Sequence, residues 1–263
     1  MPFTLSHAAA VLPLRRTRLV WSALVLGSFG PDFQYFLFMS YDSRTWHSYP
    51  DVLRFCFPFT LAAFFLFQSV IRTPLAGLLP VSLQHRIDFS RSALPRTFGE
   101  LLAVCVSLLI GIGTHLVWDS FTHPFSWFWY HFYFLRKPMA IPGDPRSYGY
   151  AAAQALSTVI GMIILAIAFV LWWRKTKPVY PATFRLSARA KIAIWAEILV
   201  LSTIGALWRA NVIAGSVFIR SRREYFELIA FISGIGWLCW ELLVYGLLFT
   251  YAVHRTRRER AHS

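Results

Sequence analysis

The chain has 263 residues, of which 57% are hydrophobic and only 14% charged, against about 25% charged in a soluble domain. That deficit, with 24 Phe and 11 Trp, excludes an ordinary soluble globule and points to a membrane protein. The net charge is +14, but the Lys and Arg residues fall in short clusters between apolar runs. This is the pattern of topology signals rather than of a nucleic-acid surface, so no nucleic-acid partner is expected. Cys56, Cys105 and Cys239 all lie in apolar runs and none forms a C-x-x-C pair. They read as packing residues, not as a disulfide or metal framework.

In chain order, residues 2–14 are moderately apolar and are followed, not preceded, by Arg15, Arg16 and Arg18. That is the wrong order for a secretory signal. Residues 19–37 are apolar but interrupted by Gly27, Gly30 and Pro31-Asp32, where a helix should stop. The alternatives here are a sixth span or a helical hairpin. In the hairpin, Ser6 caps a helix over 7–14, the arginines form the turn, and a second helix covers 18–29. Only the hairpin brings His7 and Asp32 to the same end. Five further segments have the roughly 20 mostly apolar residues that a helical span needs: 52–71, 101–118, 151–173, 192–213 and 228–253. The predicted fold is therefore all-α, a polytopic helical membrane protein with five to six transmembrane helices. Residues 1–173 form a membrane-embedded domain with the histidines. Residues 174–263 add a basic loop and two further spans.

The segment GIGTHLVWDSFTHP, residues 111–124, carries His115, Asp119 and His123 at i, i+4 and i+8. On a helix these share one face. Ionisable groups inside an apolar segment are costly and need partners. His7, Asp32 and His47 supply the same residue types nearer the N-terminus. Together the six form a candidate metal site. His and carboxylate ligands suit zinc, and also manganese or iron. His7, Asp32, His47, His115 and Asp119 are the expected metal ligands. His123 and Asp119 are the expected catalytic groups, one to bind metal or shuttle a proton, the other as a base. Gly111 and Gly113 would let a neighbouring backbone approach the site.

The stretch FSWFWYHFYFLRKP, residues 125–138, reads as an aromatic belt at the membrane surface. His131 within it is a reserve ligand. His85 lies in a basic loop, and His254 and His262 in the basic tail. Glu197 and Glu241 sit inside the last two spans. They either pair with Arg54, Arg209 or other polar groups, or mark a second function. Alternating the five spans puts more Lys and Arg on the side holding 72–96, 174–191 and 255–260 than on the side holding Arg44, 136–146 and 209–223. The richer side is cytoplasmic by the positive-inside rule, which leaves the histidine cluster on the outer face.

The opening MPFTLSHAAAVLPL, then GSFGPDFQYF, WHS at 46–48 and LLIGIGTHLVWDSFTHP resemble the bacterial domain-of-unknown-function family 4184. This pattern, over about residues 1–173, is similar to that of inner-membrane metal-dependent hydrolases and, more distantly, of zinc-dependent phospholipase C. The resemblance implies metal roles for His7, Asp32, His47, His115 and Asp119. It also implies a bacterial inner-membrane location. Trp46 stands where a Thr or Ser is usual, and no H-x-x-x-E follows, since Trp127 comes four residues after His123 and Leu135 four after His131. The expected activity is hydrolysis of a phosphoester or lipid-linked substrate at the membrane surface, with membrane lipids as partners. The rival is a non-enzymatic membrane protein. There the cluster is a structural metal or hydrogen-bonded knot, or an ion pathway runs through Glu197 and Glu241.

Overall fold

The computed structural model describes residues 3–41, 45–89, 93–139, 147–180, 186–215 and 223–261. Arg44, Arg91, Arg146, Arg185, Arg220 and Arg222 of the charge balance, with His262, lie outside the described residues. Among the described residues every regular element is a helix, with no strand and one isolated bridge between Pro138 and Tyr148. The helices are α1 Ala8–Val11, α2 Trp21–Phe29, α3 Phe33–Phe38, α4 Val52–Leu78, α5 Val81–Gln84, α6 Phe98–Thr122, α7 Trp127–His131, α8 Tyr133–Arg136, α9 Gly149–Lys175, α10 Ala188–Ala214 and α11 Arg223–Ala261. Five segments are long and apolar enough to cross a membrane: Val52–Leu78, Phe98–His131, Gly149–Lys175, Ala188–Ala214 and Arg223–Val253.

Two compact units are present. The first comprises Met1–Asp32, Thr45–Phe64 and Pro95–Lys175; the second comprises Phe33–Arg44, Phe65–Leu94 and Thr176–Ser263. In the first unit the N-terminal segment takes the hairpin of the two alternatives, with Thr4 and Asp32 at the same end. Short 3-10 turns, Thr4–His7 and Leu12–Arg16, bracket α1, and α2 returns antiparallel to it. Ser6 does not cap a helix, because the helical turn already starts at Thr4; its buried hydroxyl donates to the Phe3 carbonyl at 2.7 Å. The Phe3 N–H donates to Thr158 Oγ1 at 3.0 Å, which ties the hairpin to α9. Pro31 does not end the chain's helical path. Gly30–Asp32 tighten into one 3-10 turn and the backbone continues as α3, since proline is tolerated where its missing N–H is not needed.

The α2 and α6 backbones pack almost in contact. A Cβ on Gly27 would strike the Leu108 carbonyl oxygen, and one on Gly111 the Leu24 carbonyl oxygen. Gly113 is different: a Cβ there would meet nothing within 4 Å. Of the two glycines expected to admit a neighbour, only Gly111 does so, because Gly113 sits on another face of α6. The start of α6 is fixed by a capping box. The Glu100 N–H donates to Thr97 Oγ1 at 3.2 Å and the Thr97 N–H donates to Glu100 Oε2 at 3.3 Å, which satisfies two otherwise unpaired donors.

In the second unit α10 and α11 lie against each other. Ala210, Ala214, Phe226 and Ile229 form their core, and the Trp237 indole rests on Gly205. Lys191 Nζ donates to the Leu79 carbonyl at 2.6 Å, and the Arg209 guanidinium to the Phe38 carbonyl at 3.4 Å. Glu197 is exposed and Glu241 half-buried. Of the cysteines, Cys56 is buried, Cys105 intermediate and Cys239 exposed, all as free thiols.

A candidate metal centre

The five expected ligands converge, although they come from four separate segments of the first unit. His7 closes the first 3-10 turn, Asp32 ends the Gly30–Asp32 turn, His47 ends a turn at Thr45–His47, and His115 and Asp119 share a face of α6. His115 Nε2 lies 3.3 Å from Asp119 Oδ2 and 3.6 Å from Asp32 Oδ1. His47 Nε2 lies 3.6 Å from both Asp32 Oδ1 and Asp119 Oδ2. His7 Nε2 lies 3.5 Å from Asp119 Oδ1, and its ring stacks on that of His115 with centroids 3.9 Å apart. Asp32 and His115 are fully buried and His7 is 1% exposed, whereas the His47 side chain is 20% exposed. The centre is therefore sealed on the hairpin side and reaches the surface beside His47.

Asp32 and His115 are each held by one atom and leave another turned inward. Thr4 Oγ1 donates to Asp32 Oδ2 at 2.6 Å, while Asp32 Oδ1 makes no hydrogen bond. His115 Nδ1 faces the Ser28 carbonyl at 2.8 Å. A carbonyl only accepts, so Nδ1 carries the proton and a neutral imidazole keeps its lone pair on Nε2. That Nε2, with His7 Nε2 and Asp119 Oδ1, is also buried without a hydrogen bond. Unpaired buried polar atoms are rare, and each asks for an explanation such as an ion. Two overlapping triads, His7–Asp32–His115 and His47–His115–Asp119, each bring three ligand atoms within 4.8 Å of one another. Ligand bonds of about 2.0–2.2 Å place neighbouring ligand atoms roughly 3–4 Å apart, so these residues could hold a metal ion.

Electrostatics outside the five spans agree with that fit. Burial, aided by the adjacent His115, pushes His7 down to about 4, which keeps it a neutral donor at physiological pH. Burial works against an ionised Asp32, yet the imidazoles of His115 and His47 outweigh it and hold the carboxyl below its usual range.

His123 belongs to neither triad. It is the C-cap of α6, and its Nδ1 turns back to the Asp119 carbonyl at 3.1 Å and lies 3.6 Å from Asp119 Oδ2. The side chain is 23% exposed, at the edge of the centre. His131 stands apart, stacked on Trp127 with its Nδ1 against the Trp127 carbonyl. His85 lies in the second unit, against the Tyr180 carbonyl. Three participants were missing from the sequence reading: Thr4, the Ser28 carbonyl, and Trp118, whose ring meets His7 edge-on at 5.9 Å.

The family model described as "Domain of unknown function (DUF4184)" matches residues 1–247, and the chain belongs to that family. The match runs past the 1–173 over which the motifs were read and takes in α10 and most of α11. No curated protein and no solved structure matches the chain.

Proposed function

We propose that this protein is a membrane-embedded, metal-dependent hydrolase acting on a phosphoester or lipid-linked substrate at the membrane surface. The observation that carries this reading is the inward convergence of buried, hydrogen-bond-free atoms from His7, Asp32, His115 and Asp119, with His47 on the open side. A structural ion is enclosed by its ligands, whereas a catalytic one keeps an accessible position; the partial exposure of His47 favours the second. When bound, a divalent ion, zinc first and manganese or iron next, would polarise a phosphoryl oxygen and bring the pKa of a water to about 7. His7, Asp32, His47, His115 and Asp119 would hold it. Thr4 and the Ser28 carbonyl fix the orientation of two of them, as outer partners of ligands commonly do. His123, at the edge and touching Asp119, is placed to carry a proton between the centre and solvent. The order of these residues resembles that of inner-membrane metal-dependent hydrolases.

The location we propose is a bacterial inner membrane, with the centre on the outer face. In the first unit the hairpin segment Leu12–Arg16 lies along α9 near Ile164 and Leu171. Arg15 and Arg16 are thus on the Arg174–Lys175 side of the centre, which adds to the basic, cytoplasmic end. A C-terminal reporter fusion checks this: a fluorescent protein should be active and a periplasm-dependent phosphatase inactive, and the reverse would invert the orientation.

Hydrolysis is tested with a long-chain phosphate monoester and diester in detergent micelles. Phosphate or alcohol release should stop with a chelator, return with zinc or manganese, and be lost in His115→Ala. Release indifferent to chelation and to that substitution would defeat the reading.

A further inference from the structure

The cluster is flanked by an apolar groove, and the metal-centre reading gives that groove a purpose. We infer that it seats the hydrocarbon tail of the substrate, which makes the substrate a long-chain amphiphile with its phosphate head at the centre. This rests on the proposed metal centre and adds the substrate class. The groove holds about 740 Å³, within the roughly 300–1,000 Å³ of small-ligand sites. Its walls are α6 and α9, closed at one end by Phe134 and Leu135 of α8.

No charged side chain lines it, and its few hydroxyls are already committed. Thr114 Oγ1 donates to the Gly111 carbonyl at 2.7 Å, Ser157 Oγ to Gln154 at 3.0 Å, and Thr122 Oγ1 to Asp119 at 3.4 Å. An occupant is offered apolar contact alone, which disfavours a sugar, a nucleotide or any other polar group there. Val117 and Leu156 are 59% and 60% exposed, so the groove opens sideways, as entry from a bilayer requires.

Two of its wall residues border the centre. Trp118 touches His7 edge-on, and Thr122 shares the last turn of α6 with Asp119. They close the groove off from the buried ligands, so the head of a tail lying there reaches the centre over the end of α6, past the partly exposed His123 that follows Thr122. Ending beside that exposed edge is what separates the groove from the general lipid-facing surface.

The test uses the full chain reconstituted in phosphatidylcholine vesicles containing phosphatidic acid with a photoreactive diazirine in its acyl chain. Labelled peptides are mapped for the wild type, Gly113→Phe and Leu156→Trp, and metal content is read on the same samples. Gly113 lines the groove and a Cβ there meets only open space, so a larger side chain fills the groove without pressing on α2. Leu156→Trp does the same from the exposed opposite wall. The expected result is label concentrated on 110–121 and 153–160, falling about tenfold in either variant while metal content holds. Label spread evenly over all exposed spans, or unchanged in both variants, would overturn the groove and leave the metal centre standing. A wild type without metal would overturn the centre, and the proposal with it.

Discussion

At the scale of single residues, the geometry of the centre depends on groups outside the two triads. Asp32 is fully buried and receives one strong donor, Thr4 Oγ1, which frees the other carboxylate oxygen to face inward. Thr4→Val keeps the shape and removes the donor. Loss of such an outer partner typically lowers metal affinity by about 10–100-fold, and chelator competition on purified protein should read a drop of that order; unchanged affinity would show that the hydrogen bond does not orient Asp32. The five converging side chains were legible as candidates. His115 and Asp119 at i, i+4 inside an apolar run have few dull explanations, and His7, Asp32 and His47 followed from their order along the chain. Thr4 was not legible, because its partner lies 28 residues away. Neither was Ser28, because its contribution is a backbone carbonyl, which the side-chain alphabet does not encode. His123 continued the helical spacing on paper, but α6 ends there, and the ring folds back on Asp119 instead of facing the triads.

At the scale of elements, the arrangement rests on α2 lying hard against α6. That contact brings the Ser28 carbonyl to His115, and it exists because Gly27 and Gly111 present bare backbone to each other. Gly111→Ala should force the helices apart, destabilising the protein by about 1–3 kcal/mol and lowering metal retention. Gly113→Ala, two residues on, should leave metal retention intact and stability unchanged or higher by up to about 1 kcal/mol, the helix-propensity gain. Thermal unfolding in one detergent compares the two; equal effects would show that the close approach is not what positions His115. The arginines at 15–18 and the break at Gly30-Pro31 made a hairpin one of two readable alternatives, the other being a sixth span. The exact path was not readable, since local signals do not say whether a Gly-Pro break ends a helix or only tightens it. The Thr97-x-x-Glu100 signature does mark where α6 begins, three residues ahead of the apolar run from 101, and hydropathy alone overlooks it.

At the scale of the whole molecule, the all-α, five-span architecture was legible because bilayer thickness fixes the length of an apolar helix and few other folds tolerate so little charge. Less legible was how much of the chain forms one family unit. Residues 174–263 lack clustered metal-type side chains, so motif reading stopped near 173, yet the family extends to 247. The convergence of four distant segments on one point was likewise only an expectation from residue types, because the lengths of the intervening stretches 33–46 and 48–114 set no distance. The central claim is that this point holds a divalent ion. Elemental mass spectrometry of detergent-purified wild type, beside His115→Ala/Asp119→Ala and after mild dialysis, tests it most directly. The account predicts near-stoichiometric zinc, manganese or iron in the wild type and none in the double variant. A folded wild type that holds no metal, even after zinc or manganese is added back, would contradict it and leave the cluster a buried polar network.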